Sequence, residues 1–219
     1  MEFTFLLPRK IVFGRGSAAT AGEEAKELGS SRTLVVTSPG MLRRDGYSLA
    51  VQSLKRSGVG LEIFSDIVPE PTIENVDDCA AAARRDRRDL VIGLGGGSVI
   101  DVAKKTAADL KLPMMMMPTT AGTGSEVTHE SVLKVDGKKK AFVDEALVPE
   151  VAIVDPDLAE TMPPWLAVSS GIDALAHALE CWQSRKRNPL VETLAKDAFV
   201  MLKENISRSI EGDKQARSN

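Results

Sequence analysis

Asp173 and His177 stand four residues apart in "SSGIDALAHALECW" (169–182), a segment whose apolar residues recur at helical spacing. On a helix, positions i and i+4 share one face, so a carboxylate and an imidazole would point the same way. Together they can grip a divalent ion. A working metal centre, however, takes three or four protein ligands. The chain has one other histidine, His129, and Cys181 lies one turn beyond His177. His129 sits at the far end of a loop, and a packed helix cysteine is the simpler reading of Cys181. An intrahelical hydrogen-bonded pair is the alternative reading of Asp173 and His177.

A second chemistry is suggested by "GLGGGSVIDVAKKTA" (93–107), which follows an apolar run and opens a helical pattern. Such a junction offers unpaired backbone N–H groups and the positive end of a helix dipole to an anion. Gly93, Gly95, Gly96 and Gly97 fall short of a full G-x-G-x-x-G because Ser98 holds the last place. The chemistry is that of a phosphate or dinucleotide loop; a tight strand-to-helix turn with no ligand is the alternative. "PTTAGTGSEVT" (118–128) is a second loop of this kind, with hydroxyls at Thr119, Thr120, Thr123 and Ser125. Two such loops at the carboxyl ends of neighbouring strands imply a cleft at the sheet edge.

The elements that must position these loops are legible in the hydrophobic pattern. Strands are expected at 32–38, 60–67, 89–98, 113–118 and 150–156, with helices at 41–57, 73–87 and 99–110 between them. This alternation implies an α/β fold with a parallel sheet and helices on both faces. Residues 130–143 differ: two runs flank Asp136-Gly137, a strong hairpin signal. The "PMMMMP" run (113–118) reads as a buried strand. After "MPP" (162–164) the pattern turns all-helical, over 165–183 and 189–210, with Asn188-Pro189 between.

Composition narrows the function classes. The 219 residues are 43% apolar with net charge −3, enough for one large domain or two small ones. The clusters "RRDRR" (84–88) and "KKK" (138–140) are short, and aromatics make up only 4%. Nucleic acid is therefore not expected as a partner. No apolar run reaches membrane-spanning length, and "MEFTFLLPRK" lacks the marks of a signal peptide. Cys79 and Cys181 are unpatterned and read as reduced thiols of a cytoplasmic protein.

"GGGSVIDVAK" (95–104), "PTTAGTGSEVT" (118–128), "LVPEVAIVDPDL" (147–158) and "GIDALAHALE" (171–180) together resemble the iron-dependent (group III) alcohol dehydrogenases. The resemblance runs from "KIVFGRGS" (10–17), the first strand, to the end of the chain. It implies a Rossmann-like NAD(P)-binding α/β domain with a β-hairpin over 1–160, then the first helices of a metal-binding helical domain over 161–219. By that analogy Gly95, Gly96, Gly97 and Ser98 hold the pyrophosphate, and Asp101 lies near the nicotinamide. Thr119, Thr120 and Thr123 line the cofactor, with Lys139 or Lys140 reaching it from the hairpin. Asp173 and His177 become metal ligands, for iron ahead of zinc. The implied reaction interconverts a small alcohol and an aldehyde or ketone by metal-assisted hydride transfer.

Three departures qualify the resemblance. Family chains are nearly twice as long, and their other two metal ligands are histidines further on. The chain alone is therefore expected to be incomplete, and to associate as a homo-oligomer or with a missing C-terminal half. Ser38 stands after the first parallel strand, where NAD-preferring members often carry aspartate, so NADP is admitted beside NAD. Glu70 replaces a frequent asparagine in the "PEPT" turn (69–72). A non-catalytic nucleotide-binding module and a metal-dependent lyase of the dehydroquinate-synthase type are the alternative functions.

Overall fold

The computed structural model describes residues 2–160, 162–185, 188–213 and 215–216. The first elements are β1 (Lys10–Phe13), α1 (Ala21–Glu27), β2 (Arg32–Val36), α2 (Asp45–Arg56) and β3 (Gly60–Phe64). They are followed by α3 (Ile73–Arg85), β4 (Leu90–Gly95), α4 (Gly97–Leu110) and β5 (Met114–Pro118). Next come β6 (Glu130–Val135), β7 (Lys138–Val143), β8 (Val151–Val154), α5 (Pro156–Ala159), α6 (Pro164–Gln183) and α7 (Pro189–Ile210). The chain divides into two compact units: residues 6–119 with 125–158, and residues 1–5, 120–124 and 159–219. Within 161–219, residues 161, 186, 187, 214 and 217–219 lie outside the described set.

The larger unit is the expected α/β fold. Six parallel strands run in the order β1-β8-β5-β4-β2-β3. Strands covered on both faces read as continuous apolar runs rather than alternating ones, and the four methionines show why. Met115 and Met117 pack toward Tyr47 and Leu54 of α2, whereas Met114 and Met116 pack toward Val76 of α3 and Ala103 of α4. All four are buried, so unbranched thioethers fill both faces of one central strand.

The sequence pattern assigns no helix before residue 32, yet α1 is there. It is only seven residues long and rich in small residues, so its period is faint. Its apolar contacts are alanines, Ala18 just before it with Ala21 and Ala25, all fully enclosed, beside buried Gly22 and Glu24. The hairpin forms as its turn residues require. Asp136 (φ 51°) and Gly137 (φ 75°) both adopt the left-handed conformation of a tight two-residue turn, and Val135 pairs with Lys138. Leu133 of β6 is buried among the α3 and α4 side chains.

In the helical unit, α6 and α7 follow the expected spans. Asn188 caps α7, its side-chain oxygen accepting the Leu190 N–H at 3.0 Å, with Pro189 in the first turn. Trp182 and Phe199 join the two helices with ring centres 5.1 Å apart.

One carboxylate ties the start of β2 to the start of β4. Asp89 accepts hydrogen bonds from the Ser30 hydroxyl (2.7 Å), the Ser31 N–H (3.0 Å) and hydroxyl (2.8 Å), and the Arg32 N–H (2.9 Å). Burial alone would raise this carboxyl, but those donors outweigh it and hold the pKa at about 2. A depressed folded-state pKa gives stability that is complete above the unfolded value near 3.8 and is lost as pH falls toward 2. Asp89→Asn should therefore cost about 1–2 kcal/mol at pH 7. In urea titrations the gap between wild type and variant should narrow on acidification from pH 5 to pH 2.

Candidate functional site

The crossovers of the sheet reverse direction between β2 and β4: β2 leads outward to β3, and the chain returns past β2 to β4, β5 and β8. Ligands of open α/β sheets bind at the carboxyl ends of the strands at such a point. Ser38 follows β2 there, Gly96 to Ser98 follow β4, and Thr119 follows β5. Two hydrogen bonds align these ends. The Thr37 hydroxyl donates to the Leu94 carbonyl at 2.8 Å, and the Thr119 N–H donates to the Gly95 carbonyl at 3.0 Å.

The glycine turn has two different jobs. A Cβ on Gly93 would lie 2.6 Å from the Met116 sulfur and 2.9 Å from the Ala103 Cβ, and one on Gly95 would lie 2.7 Å from the Val99 side chain. These two glycines let α4 press onto the sheet. Gly96 is the residue before α4 and lends no side-chain cap, while its carbonyl accepts the Val99 and Ile100 N–H groups at 2.9 and 3.1 Å. The first turn of α4 carries no acidic residue, so the positive end of the dipole is open to an anion at Gly96, Gly97 and Ser98.

Asp101, one turn into α4, is committed to neighbouring protein groups. Its carboxylate accepts the Ser125 hydroxyl at 2.6 Å and the Val132 N–H at 3.2 Å, and its carbonyl accepts the Ser131 hydroxyl at 3.0 Å. Burial pushes its pKa up, against those hydrogen bonds and the nearby Lys104 charge. On the hairpin, Lys139 lies 3.0 Å and Lys134 2.5 Å from Glu70, which the two ammonium groups hold down to about 2. Lys140 lies 5.3 Å from the centre of the Phe142 ring.

The second loop divides between the units: Thr119 and Ser125 belong to the α/β unit, and Thr120 to Gly124, including Thr123, to the helical one. Within the helical unit this piece packs closely on α6, since a Cβ on Gly122 would lie 3.0 Å from the Ser170 side chain.

Asp173 and His177 lie on α6 with His177 Nδ1 3.9 Å from Asp173 Oδ2, and both side chains are about half exposed. That distance is too long for a hydrogen bond, so the oxygen and the imidazole nitrogen remain accessible to a third species. The donors suit a divalent transition metal in kind. Among the described residues no third histidine, cysteine, aspartate or glutamate joins them to make a cluster.

Pattern reading did not single out Lys104 or Asp155. Lys104 is fully buried on α4, with its ammonium in hydrogen bonds to Ser125, Thr128 and Glu130. Its signal was a lysine at i+3 from Asp101, set among Val99, Ile100, Val102, Ala103 and Ala107 on an apolar helix face. Asp155 is buried after β8, accepting the Gly16, Ala18 and Asp157 N–H groups at 3.1, 2.9 and 3.0 Å.

A six-stranded parallel sheet with a glycine turn at its switch point, followed by helices, defines a Rossmann-like α/β protein with a helical region. The profile of the iron-containing alcohol dehydrogenases matches residues 8–156, and that of the Fe-containing alcohol dehydrogenase family, C-terminal, matches 167–219. The chain belongs to the iron-containing alcohol dehydrogenase family. It is 34% identical to long-chain-alcohol dehydrogenase 1 of Geobacillus thermodenitrificans, over 93% of this chain and 58% of that one. It is 36% identical to an NADPH-dependent butanol dehydrogenase of Clostridium saccharobutylicum, over 97% and 60%. Among solved structures, a 1,3-propanediol oxidoreductase superposes with a TM-score of 0.96 at 30% identity, covering all of this chain and 63% of that one. The iron-containing alcohol dehydrogenase of Thermotoga maritima gives 0.93 at 34% identity, with 99% and 65% covered. The chain thus spans about three fifths of the curated relatives it matches.

The packing role of Gly95 separates from any ligand role. Gly95→Ala should lose about 1–3 kcal/mol of unfolding free energy with no nucleotide present, because the new methyl overpacks against Val99. Unchanged urea stability would show instead that the position is open and serves a ligand alone.

Proposed function

We propose that this chain forms the nucleotide-binding part and half of the metal site of an alcohol dehydrogenase. The reaction is interconversion of a small alcohol and its aldehyde or ketone with NAD or NADP. The observation that carries this reading is the alignment of the two loops at the switch point, joined by the Thr119 N–H to Gly95 carbonyl bond. When bound, the metal would act as a Lewis acid on the substrate oxygen and the nicotinamide would carry the hydride.

The chain's own residues then have distinct tasks. Gly96, Gly97 and Ser98 receive the pyrophosphate at the start of α4, with Gly95 holding the turn beneath it. Ser38 faces the ribose, where a small neutral side chain admits a 2′-phosphate. Thr119, Thr120 and Thr123 supply hydroxyls, and Lys139 becomes available to the cofactor when it leaves Glu70. Asp101 acts through Ser125, orienting the loop that borders the nicotinamide. Asp173 and His177 offer iron, ahead of zinc, a carboxylate and an imidazole. NADPH in the printed name of one relative and iron in that of another point the same way.

Two ligands bind metal weakly, so we place the full activity in an assembly. The helical unit supports this: Trp165 is 70% exposed, Leu194 58% and Ile172 53%. Apolar exposure on that scale invites a second copy or the portion of the relatives that this chain does not span. A non-catalytic nucleotide-binding module is the second reading, favoured by the absence of a third metal ligand among the described residues. We assign the cytoplasm as compartment. Burial pushes the Cys79 thiol up to about 12, as befits a reduced packing residue. Among the described residues no helix is long and apolar enough to cross a membrane.

Titration of the chain with NADH and NADPH tests the reading. Both should bind, and Ser38→Asp should weaken NADPH about tenfold or more while sparing NADH, by charge repulsion. A chain that binds neither would overturn the proposal. After anaerobic reconstitution with ferrous iron, elemental analysis should find well under one metal per chain, and less still in Asp173→Ala; near-stoichiometric iron would mean that further ligands come from a second copy. Sedimentation should show a species larger than the 23.5 kDa monomer.

A further inference from the structure

Lys104 carries a charge that the proposed function does not use. Its Nζ donates to three backbone carbonyls, Ser125 at 2.8 Å, Thr128 at 2.7 Å and Glu130 at 2.6 Å. The hydroxyl oxygens of Thr128 and Ser125 lie at 3.1 and 3.5 Å. An ammonium has three protons, and three carbonyls take all of them. Converging carbonyl and hydroxyl oxygens are also the surroundings that proteins offer a small monovalent cation.

Asp101 grips the same segment from one helical turn earlier, through Ser125, Ser131 and Val132. A buried cation and a half-buried anion on α4 thus hold residues 125–132 between them. Burial pulls the Lys104 pKa down to about 8, while Asp101, Glu126 and Glu130 pull it up, so the charged form prevails at neutral pH. The held segment takes in the last residues of the hydroxyl loop, Ser125 to Thr128. The loop's other end is fixed at Thr119 by the Gly95 carbonyl.

We propose that Lys104 is a positioning residue, a tethered cation whose ammonium fixes the downstream anchor of the hydroxyl loop to the helix that carries the glycine turn. The proposal rests on the nucleotide-binding reading above for its functional consequence. It does not place Lys104 in contact with the nucleotide.

Lys104→Ala empties the oxygen cage and lets an added cation replace the missing one. Amide hydrogen exchange over residues 125–131 should quicken by about tenfold, the loss expected when hydrogen bonds to a buried charge are removed. NADH affinity should fall by a similar factor. Ammonium or methylammonium should restore both, and tetramethylammonium, which has no N–H to donate, should restore neither. A role confined to packing would not respond to the amine. Should the alanine variant fail to fold, Lys104→Met retains most of the stem's volume and is judged by exchange and NADH affinity. Exchange that is unchanged at 125–131, or that rises there with no loss of affinity and no response to amine, overturns the proposal. If the wild-type chain binds no dinucleotide, the nucleotide reading fails, and exchange with its amine response still decides whether the clamp exists.

Discussion

The close approach of α4 to β4 is the constraint from which the site follows. No side chain larger than hydrogen fits at Gly93 or Gly95, because Met116, Ala103 and Val99 already occupy that space. The helix therefore begins directly on the end of the strand, and its unpaired N–H groups are delivered to the switch point of the sheet. The same tight packing places Asp101 and Lys104 within reach of the 125–132 segment. Glycines commonly explained by a phosphate's need for room are here needed by the fold as well. The two demands coincide because both require the backbone of β4 and α4 to be bare at one point.

Buried and half-buried charges in this unit are matched by partners, the Lys10 ammonium at Glu24 and mostly backbone groups elsewhere. Moving an ion out of water costs several kcal/mol unless its hydrogen-bonding capacity is met. Lys104 meets that cost with three carbonyls, Asp155 with three N–H groups, and Asp89 with two N–H groups and two hydroxyls. Each joins segments distant in sequence, so these charges bring specificity of connection rather than simple stability. The adjacent Lys105 shows the contrast. It pairs with Asp109 one turn along the helix surface, an arrangement worth a few tenths of a kcal/mol.

Most of the architecture was legible because it is written in short-range patterns. Strand and helix alternation, the Asp136-Gly137 turn and the Asn188-Pro189 break each depend on a few neighbouring residues, and each appears where expected. The faint elements were those built from tertiary contact. α1 has little period of its own and is held by alanines pressed into a core made elsewhere. Lys104 and Lys105 are adjacent in the sequence, and only the position of a loop more than twenty residues on shows which lysine turns inward. The loop 118–128 read as one unit, yet its middle belongs with the helices and its ends with the sheet. Hydroxyl content marks a loop as polar; it does not say which body each hydroxyl joins.

The two halves of the proposed chemistry are built to different degrees. The proposed nucleotide end is preorganised: its loops are tied by backbone bonds, its helix terminus carries no competing carboxylate, and Lys104 beneath it is buried. The metal end is not. Asp173 and His177 sit half exposed on α6, 3.9 Å apart, too far to fix each other's rotamers by a hydrogen bond. A ligand pair of that kind must lose side-chain entropy when it binds, and two bonds to metal repay little of it. On the proposed function, the groups that would receive the pyrophosphate are thus set by the packing of the α/β unit itself. On the same proposal, a metal would have to supply the order of Asp173 and His177 as it binds.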